Sequence, residues 1–422
     1  KAISEIFMSG GTEEVLAFAK AVESPWRVGI AFGTIASSEA ESIMLPALLD
    51  SGDRSLAQFV GGFIRRRFWE CKWQWVDEVD TTNWTPSQKG QFFAFLPFTS
   101  DTWERVKLHL GEDEYPYWSK TSANPYEAEH GLETAIDRLV DYGRPLAAIG
   151  CVRKMVDEKQ PLNNSQVVRV FQAMFKSPES LHDMNVHAIL EIVKALQNDP
   201  NMNPDDLFQI EWAFIPILDR FQGAYPKLLE HRLAEDPVFF CEVIRIVFKS
   251  TKENSPIEEP TEQQKNMATN AYYLLHNWRM PPGSHKDGTF DGDTLNAWLE
   301  KVKEISNESG HLDVSLSAVG QVLFHAPPDP NGFWIHHSAA RVLNIKENKK
   351  MRNGFYTAVI NSRGVFTCTK GEEERTIAAK YKARAEELDS HGYNRFADTF
   401  RDLAAHYEQE AEREASRENF YE

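Results

Sequence analysis

The sequence predicts an all-α fold, and within that class a right-handed α-solenoid of stacked helical hairpins. Three observations support this prediction: apolar residues recur at three- and four-residue steps, Gly and Pro interrupt them at short intervals, and one helical segment resembles a later one. Apolar residues make up 42% of the 422 residues and charged residues 26%, a composition typical of folded protein and too apolar for disorder.

Five segments show the helical spacing most clearly, because their apolar residues share one face of a 3.6-residue helix. In chain order these residues are Leu132, Ile136, Leu139 and Val140, then Val167, Phe171, Met174 and Phe175, then Val186, Ile189, Leu190, Val193 and Leu196, then Leu295, Trp298, Leu299, Val302 and Ile305, and last Phe396, Phe400, Leu403 and Tyr407. We expect helix caps at Ser165, Asp183 and Asp293. The pattern predicts about twenty helices of about 10 to 18 residues.

At most one small β element is expected, near residues 357–369. Thr357–Ile360 would pair with Val365–Thr369 across the turn Asn361-Ser362-Arg363-Gly364, although this stretch could equally finish a helix. Gly364 would supply a positive φ in the turn. Arg363 would pair with carboxylates of the acidic helices around it, or else point outward to a partner.

An internal similarity suggests a repeat. Residues 185–196 align without gaps on residues 294–305, with identical Ala, Leu, Glu, Val and Lys positions, and the apolar residues of the next segments also correspond. A true repeat would mean helical hairpins that stack along an axis in a HEAT-like solenoid, each burying its face on its neighbours.

The chain is expected to divide into three parts. These are N-terminal helical repeats in 1–178, central repeats in 179–280, and C-terminal repeats with a capping helical hairpin in 281–422. Two polar segments, Ser250–Gln264 and Pro281–Gly292, read as surface excursions. The hairpin is assigned to Glu372–Leu388 and Asn394–Glu418 because charges alternate along both segments.

The net charge of −17 disfavours nucleic acid and anionic membranes as partners, since both are polyanions. No apolar run approaches the roughly 18 to 20 residues of a spanning helix. The four cysteines are too scattered for a metal clip and suggest a reducing, cytoplasmic location. The chain starts at Lys1 without an initiator Met or a signal peptide, so we expect a fragment or a processed product.

The best local basic patch is Arg65–Trp75, which combines three consecutive arginines and Lys72 with the aromatic residues that follow. Such a mixture can stack on single-stranded nucleic acid. Alternatively, Trp69 and Trp73 share one helix face at i, i+4 and pack, while the arginines surround them with their apolar stems. The second interpretation is favoured because of the net charge.

Other motifs have structural explanations. Asp287–Asp293 lacks the glutamate of a calcium loop and reads as a turn followed by a helix cap. Ser9–Thr12 is glycine-rich but lacks a phosphate-binding lysine, so it reads as a helix break with Thr12 as cap. His336 and His337 follow Trp334 and are adjacent, so they cannot chelate zinc from one helix face and read as helix N-terminal histidines.

Six segments from about Leu181 onward carry a resemblance to known proteins. They are Asp206–Phe214, Pro226–Glu230, Asp236–Ile244, Gly320–Asp329, Asn361–Val365 and Ala378–Glu386. As a set they resemble the C-terminal helical-repeat region of long, largely uncharacterised bacterial proteins. The resemblance implies that upstream regulatory or effector modules belong to the same polypeptide, and it is compatible with a defence or toxin–antitoxin role. It assigns no catalytic residue.

The sequence therefore predicts a non-enzymatic scaffold or sensor segment that binds a protein or peptide partner within a larger bacterial polypeptide. The alternative is a nucleic-acid-binding helical array that uses the basic patch, and an enzyme whose polar cluster is hidden in linear sequence stays open. No catalytic residue, metal ligand or cofactor is assigned. The residues proposed for partner binding are Arg65, Arg66, Arg67, Trp69, Trp73, Trp334, His336 and Arg363.

Overall fold

The computed structural model describes residues 1–177, 185–218, 220–252, 259–285, 287–364 and 371–418. Across these residues the protein forms 21 α-helices and no β-strand. The all-α prediction is confirmed. No helix in the described ranges is both long and apolar enough to cross a membrane.

The chain divides into two compact units, residues 1–202 and residues 203–422. The finer division into repeats over 1–178, 179–280 and 281–422 stays a prediction. The helices in the described part of the first unit are α1 (Ala2–Ala21), α2 (Pro25–Gly33), α3 (Ser38–Leu49), α4 (Arg54–Glu78), α5 (Pro86–Ala94), α6 (Ser100–Leu110), α7 (Tyr115–Trp118), α8 (Leu132–Asp141), α9 (Pro145–Asp157), α10 (Asn164–Lys176) and α11 (Val186–Asn198).

The second unit has its own apolar core. The helices in its described part are α12 (Pro204–Phe214), α13 (Lys227–Glu235), α14 (Pro237–Val247), α15 (Glu262–Asn277), α16 (Gly292–Ser309), α17 (Leu312–Leu323), α18 (His337–Asn344), α19 (Lys349–Asn361), α20 (Glu372–Ser390) and α21 (Asn394–Glu418). The last two pack against each other, which confirms the C-terminal helical hairpin.

Helix starts lie close to the predicted positions but use other cap residues. Asn163 caps α10 in place of Ser165, and Asp291 caps α16 in place of Asp293. The predicted cap Asp183 lies outside the described residues. These differences arise because a side chain caps best when it precedes the first helical residue and accepts the N–H groups two or three positions later. The break expected at the glycines near the start is confirmed, since Gly11 interrupts α1 with a φ of 66°.

Most residues of the predicted apolar faces are buried, Val140 and Ile305 are half-buried, and two are exposed. Phe175 is 49% exposed near the end of α10, and Val186 is 39% exposed at the first position of α11. Both lie at helix ends next to residues 178–184, which are not described. Trp298, in the middle of its face, is only 4% exposed.

The β element expected near 357–369 is wrong in its first half. Thr357–Ile360 lies inside α19, which ends at Asn361, so the helical alternative is the correct one. The turn glycine is confirmed, because Gly364 has a φ of 69°. Val365–Thr369 lies outside the described residues.

The two copies of the predicted repeat differ in their surroundings. In the second copy α16 and α17 pack together inside one unit, whereas in the first copy α11 belongs to the first unit and α12 to the second. The two copies share buried positions at Ile189 and Trp298 and again at Val193 and Val302. Repetition therefore stays a prediction.

Of the two polar segments, Pro281–Gly292 is a turn closed by an isolated β-bridge between Ser284 and Phe290. Asp287 accepts hydrogen bonds from the N–H and hydroxyl of Thr289, and Asp291 then caps α16. The turn-and-cap interpretation is confirmed. In Ser250–Gln264, residues 253–258 lie outside the described residues, and Thr261 caps α15.

Close packing of α17 on α19 holds the C-terminal end of α17 in place. A Cβ on Gly320 would lie 1.8 Å from the carbonyl oxygen of Met351, and a Cβ on Gly354 would lie 1.9 Å from that of Ser317. Only glycine permits this approach at either position. The end of α17 leads directly to His325, which contributes to the site described below.

Candidate functional site

The arginines of the basic patch are all engaged with carboxylates of the first unit. Arg65 contacts Glu127 at 2.7 Å, Arg66 contacts Glu70 at 2.6 Å, and Arg67 forms an ion pair with Glu41. The charges of these three arginines are therefore balanced within the fold.

The expected packing of Trp69 on the same face as Trp73 is wrong. Lys72 has a φ of 53°, and this non-helical residue interrupts α4 between the two tryptophans, so the i, i+4 relation no longer places them together. Trp73 packs edge-on against Phe68 and carries the Arg105 guanidinium 4.2 Å above its ring. Trp69 is 69% exposed, with the Lys72 ammonium 5.0 Å from its ring centre.

Two further partner candidates, Trp334 and His336, are half-buried in the second unit. Trp334 packs against Phe400 with ring centres 5.2 Å apart, and the guanidinium carbon of Arg384 lies 4.4 Å from the centre of the Trp334 ring. His336 caps α18, because its Nδ1 accepts a hydrogen bond from the N–H of Ser338 at 3.2 Å. The helix N-terminal interpretation of His336 is confirmed.

Arg363 pairs with carboxylates, as in the first of its two predicted roles. Its guanidinium contacts carboxylates of α20 and α21. It forms an ion pair with the buried Glu374 and lies 3.5 Å from Glu410. The ring of Tyr407 lies 5.4 Å from the guanidinium carbon. The eight predicted residues thus lie in separate parts of the protein rather than in one site, and their role in partner binding stays a prediction.

A site that the sequence analysis missed lies in the second unit. Two adjoining pockets of about 360 and 720 Å³ share five lining residues: Arg220, Tyr225, Glu230, Arg279 and His325. We call this region the arginine cleft. It is formed by the 3₁₀ turn at Arg220–Gln222, the first turns of α13, the segment after α15 and the segment after α17. The turn at the end of α19, with Asn361, Ser362 and Gly364, also lines the larger pocket.

Glu230 is the buried centre of the cleft. One of its carboxylate oxygens forms an ion pair with Arg220, and the other accepts the backbone N–H of Arg279 at 3.2 Å. Burial raises the pKa of the Glu230 carboxyl above its usual range, and Arg220 opposes that shift. The start of α13 is itself fixed, because the buried Glu211 accepts the N–H groups of Leu228 and Leu229.

Two cationic side chains lie over the aromatic ring of Tyr225. The Arg220 guanidinium lies 3.7 Å from the ring centre, and the Lys227 ammonium lies 5.6 Å from it. Cations are attracted to the negative face of such a ring. Tyr225 therefore holds both side chains at the rim of the cleft.

The Arg279 guanidinium is exposed and donates to Nε2 of His325 at 3.0 Å. A guanidinium has no acceptor, so Nε2 must accept and the imidazole is neutral. Burial and the charges of Arg279 and Arg220 lower the pKa of His325 to about 4, which keeps the ring neutral at physiological pH. No ion pair of Arg279 with a carboxylate is found among the described residues.

The position of Arg279 is set by the aromatic residue before it. Trp278 directly follows the last residue of α15 and is buried against Phe240 and Trp298, with ring centres 5.5 and 6.2 Å away. The backbone of Arg279 is thus held by an anchored neighbour and by Glu230, while its guanidinium stays at the surface. Chemically, the cleft can offer positive charge and N–H donors to an anion.

No motif marked this site in the sequence, because its residues come from four separate segments. The only local signal is Trp278-Arg279-Met280-Pro281-Pro282, an arginine between an aromatic anchor and two prolines. In the described part of the chain, no group of three His, Cys, Asp or Glu side chains could hold a metal ion.

Comparisons with known proteins returned no match to a protein-family model, to a curated protein or to a solved structure. The resemblance of residues from about Leu181 onward to bacterial helical-repeat proteins therefore stays a prediction.

Proposed function

We propose that the protein is a non-enzymatic helical scaffold that binds an acidic segment of a protein partner in the arginine cleft. In this proposal the helical hairpins form a right-handed solenoid, as the sequence pattern predicts. The observation that carries the proposal is the Arg279 guanidinium, which is exposed, held by its backbone, and bonded to a neutral histidine rather than to a carboxylate.

The surrounding charges favour an acidic ligand. The described lining of the smaller pocket has three fixed cations, Arg220, Lys227 and Arg279, against one carboxylate, Glu230. This local surplus lies on a chain whose net charge is −17, so it differs in sign from the molecule as a whole. Guanidinium groups bind carboxylates with paired hydrogen bonds, which gives direction as well as attraction.

A peptide fits the site better than an isolated small anion because apolar surface lies beside the charges. Phe221 lines the larger pocket and is fully exposed, and Pro226 and Leu218 line it as well. A peptide that places acidic side chains on the arginines can lay its apolar side chains on this surface. Exposed aromatic residues next to arginines are common at protein interfaces.

The test is a binding titration of the full chain with a short fluorescent peptide of alternating Glu and Leu residues, followed by fluorescence anisotropy. Arg279→Ala should weaken binding at least about tenfold, since one charge-assisted hydrogen bond contributes about 1.5 to 3 kcal/mol. Arg375→Ala, which removes an exposed arginine of α20 outside the cleft, is the matched control and should leave binding unchanged. Equal losses in both variants would reject the cleft as the binding site.

Nucleic acid binding is the second candidate from the sequence, and the pairing of Arg65, Arg66 and Arg67 with carboxylates does not favour it. A single-stranded oligonucleotide titrated at low and high salt tests it. Affinity that falls steeply with salt and is lost on Arg65→Ala would support this alternative in place of the acidic peptide.

A further inference from the structure

We propose that the arginine cleft recognises a phosphate monoester carried by the acidic segment, that is, a phosphorylated side chain. This inference rests on the proposed function and specifies its ligand. It follows from three properties of the cleft: its charge surplus, its free donors and the arrangement of its cations.

The charge surplus matches a dianion. Arg220, Lys227 and Arg279 against Glu230 leave two positive charges among the described lining residues of the smaller pocket. A single carboxylate would neutralise one of them, whereas a phosphate monoester carries about −1.5 to −2 charges at pH 7. The ligand that balances the site is therefore a phosphate rather than one carboxylate.

The donors are also more numerous than a carboxylate needs. A guanidinium has five N–H donors in a planar fork, and the bond to His325 accounts for one donor of Arg279. A phosphate offers three acceptor oxygens, and a second cation can reach a different oxygen from the first. Lys227 supplies an ammonium at the same rim, over the ring of Tyr225.

Glu230 fixes the positions of the two arginines in the cleft. Because it binds Arg220 through one oxygen and the backbone of Arg279 through the other, the two arginines lie on opposite sides of a single buried carboxylate. Tyr225 limits the movement of Arg220 from the other side, at 3.7 Å. The site is thus organised before a ligand arrives, which reduces the ordering cost of binding.

The experiment compares two fluorescent peptides with the full chain: one of alternating Glu and Leu residues with a central serine, and the same peptide with phosphoserine. We expect the phosphoserine peptide to bind at least about tenfold tighter, since it adds charge-assisted hydrogen bonds. Arg279→Ala should remove this preference. Arg279→Lys keeps the charge but loses the planar fork, so it should keep binding and lose most of the preference.

Three controls test whether the difference in peptide binding comes from the arginine cleft and from a phosphate carried by a peptide. Arg375→Ala should bind both peptides as the unaltered protein does, and circular dichroism confirms that each variant is folded. Inorganic phosphate should displace the phosphoserine peptide only at concentrations far above the dissociation constant of the peptide. Displacement at an equal concentration would overturn the peptide-borne part of the inference.

The two proposals fail in different ways. If both peptides bind equally and binding depends on Arg279, the phosphate inference is wrong and the acidic-segment proposal stands. If neither peptide binds the folded protein, both are wrong.

Discussion

The basic patch of α4 and the arginine cleft of the second unit show that density of arginines in sequence and available positive charge are different properties. In the patch, three consecutive arginines are each paired with a carboxylate. In the cleft, Arg220 and Arg279 are 59 positions apart in sequence, and the guanidinium of Arg279 remains exposed beside a neutral histidine. Adjacent residues on a helix fan outward to different neighbours, whereas a site needs side chains that converge.

The largest expected effect concerns Trp298, which packs beneath the segment that carries Arg279. Trp298 is buried against Trp278, which precedes Arg279. Trp298→Ala should lower the free energy of unfolding by about 3 to 5 kcal/mol, measured by urea denaturation, because it leaves a large cavity. A loss below about 1 kcal/mol would be the effect of a surface residue and would contradict the burial of Trp298.

Removing the carboxylate that pairs with Arg67 should show how firmly the arginines of the basic patch are paired, in contrast to Arg279 of the cleft. Glu41 is buried, pairs with Arg67 and accepts the Nε1 hydrogen of Trp75 at 3.0 Å. Glu41→Ala should lower the free energy of unfolding by about 3 kcal/mol, since it leaves a partly buried cation and an indole N–H without their partner. An unchanged midpoint of urea denaturation would show that the pairing of Glu41 with Arg67 does not stabilise the folded protein.

Arg363→Ala should cost about 2 to 3 kcal/mol in the same measurement, because the buried Glu374 would lose its cation. Binding of the acidic peptide by the folded protein should not change. Unaltered stability together with lost binding would contradict the structural role of Arg363 and would make Arg363, between the pocket-lining Ser362 and Gly364, part of the recognition surface.

Acid should lower the stability of the folded protein through protonation of His325. Its pKa is about 4 in the folded protein against 6.5 for an ordinary histidine, so the unfolded chain takes up this proton at higher pH than the folded protein. The associated stability is present above about pH 6.5 and is lost as the pH falls toward 4. Melting temperatures over this range should fall less for His325→Gln, whose amide oxygen can still accept from Arg279 but does not titrate. Parallel curves would contradict this role.

The smallest effect is expected for Arg65→Ala, which removes a pair whose arginine is nearly half exposed. Pairs of this kind contribute about 0.2 to 1 kcal/mol. Its melting temperature should therefore stay close to that of the unaltered protein, and peptide binding should be the same.

How far the sequence could predict the structure depended on whether a feature is local. Apolar spacing identified the buried faces of the helices around Leu132 and Phe396, since burial of one face repeats with the helical period. The kink at Lys72 could not be predicted, because lysine rarely adopts a positive φ and tertiary contacts must impose it. The arginine cleft could not be predicted either, since its residues meet only through the packing of four segments.

The central claim is that the cleft, and not the patch, presents positive charge to a partner. The most direct test is a side-by-side titration of the acidic peptide against Arg279→Ala and against a double variant with Arg65→Ala and Arg66→Ala. We predict at least about tenfold weaker binding in the first and no change in the second. Weaker binding in the double variant with no change on Arg279→Ala would contradict the account.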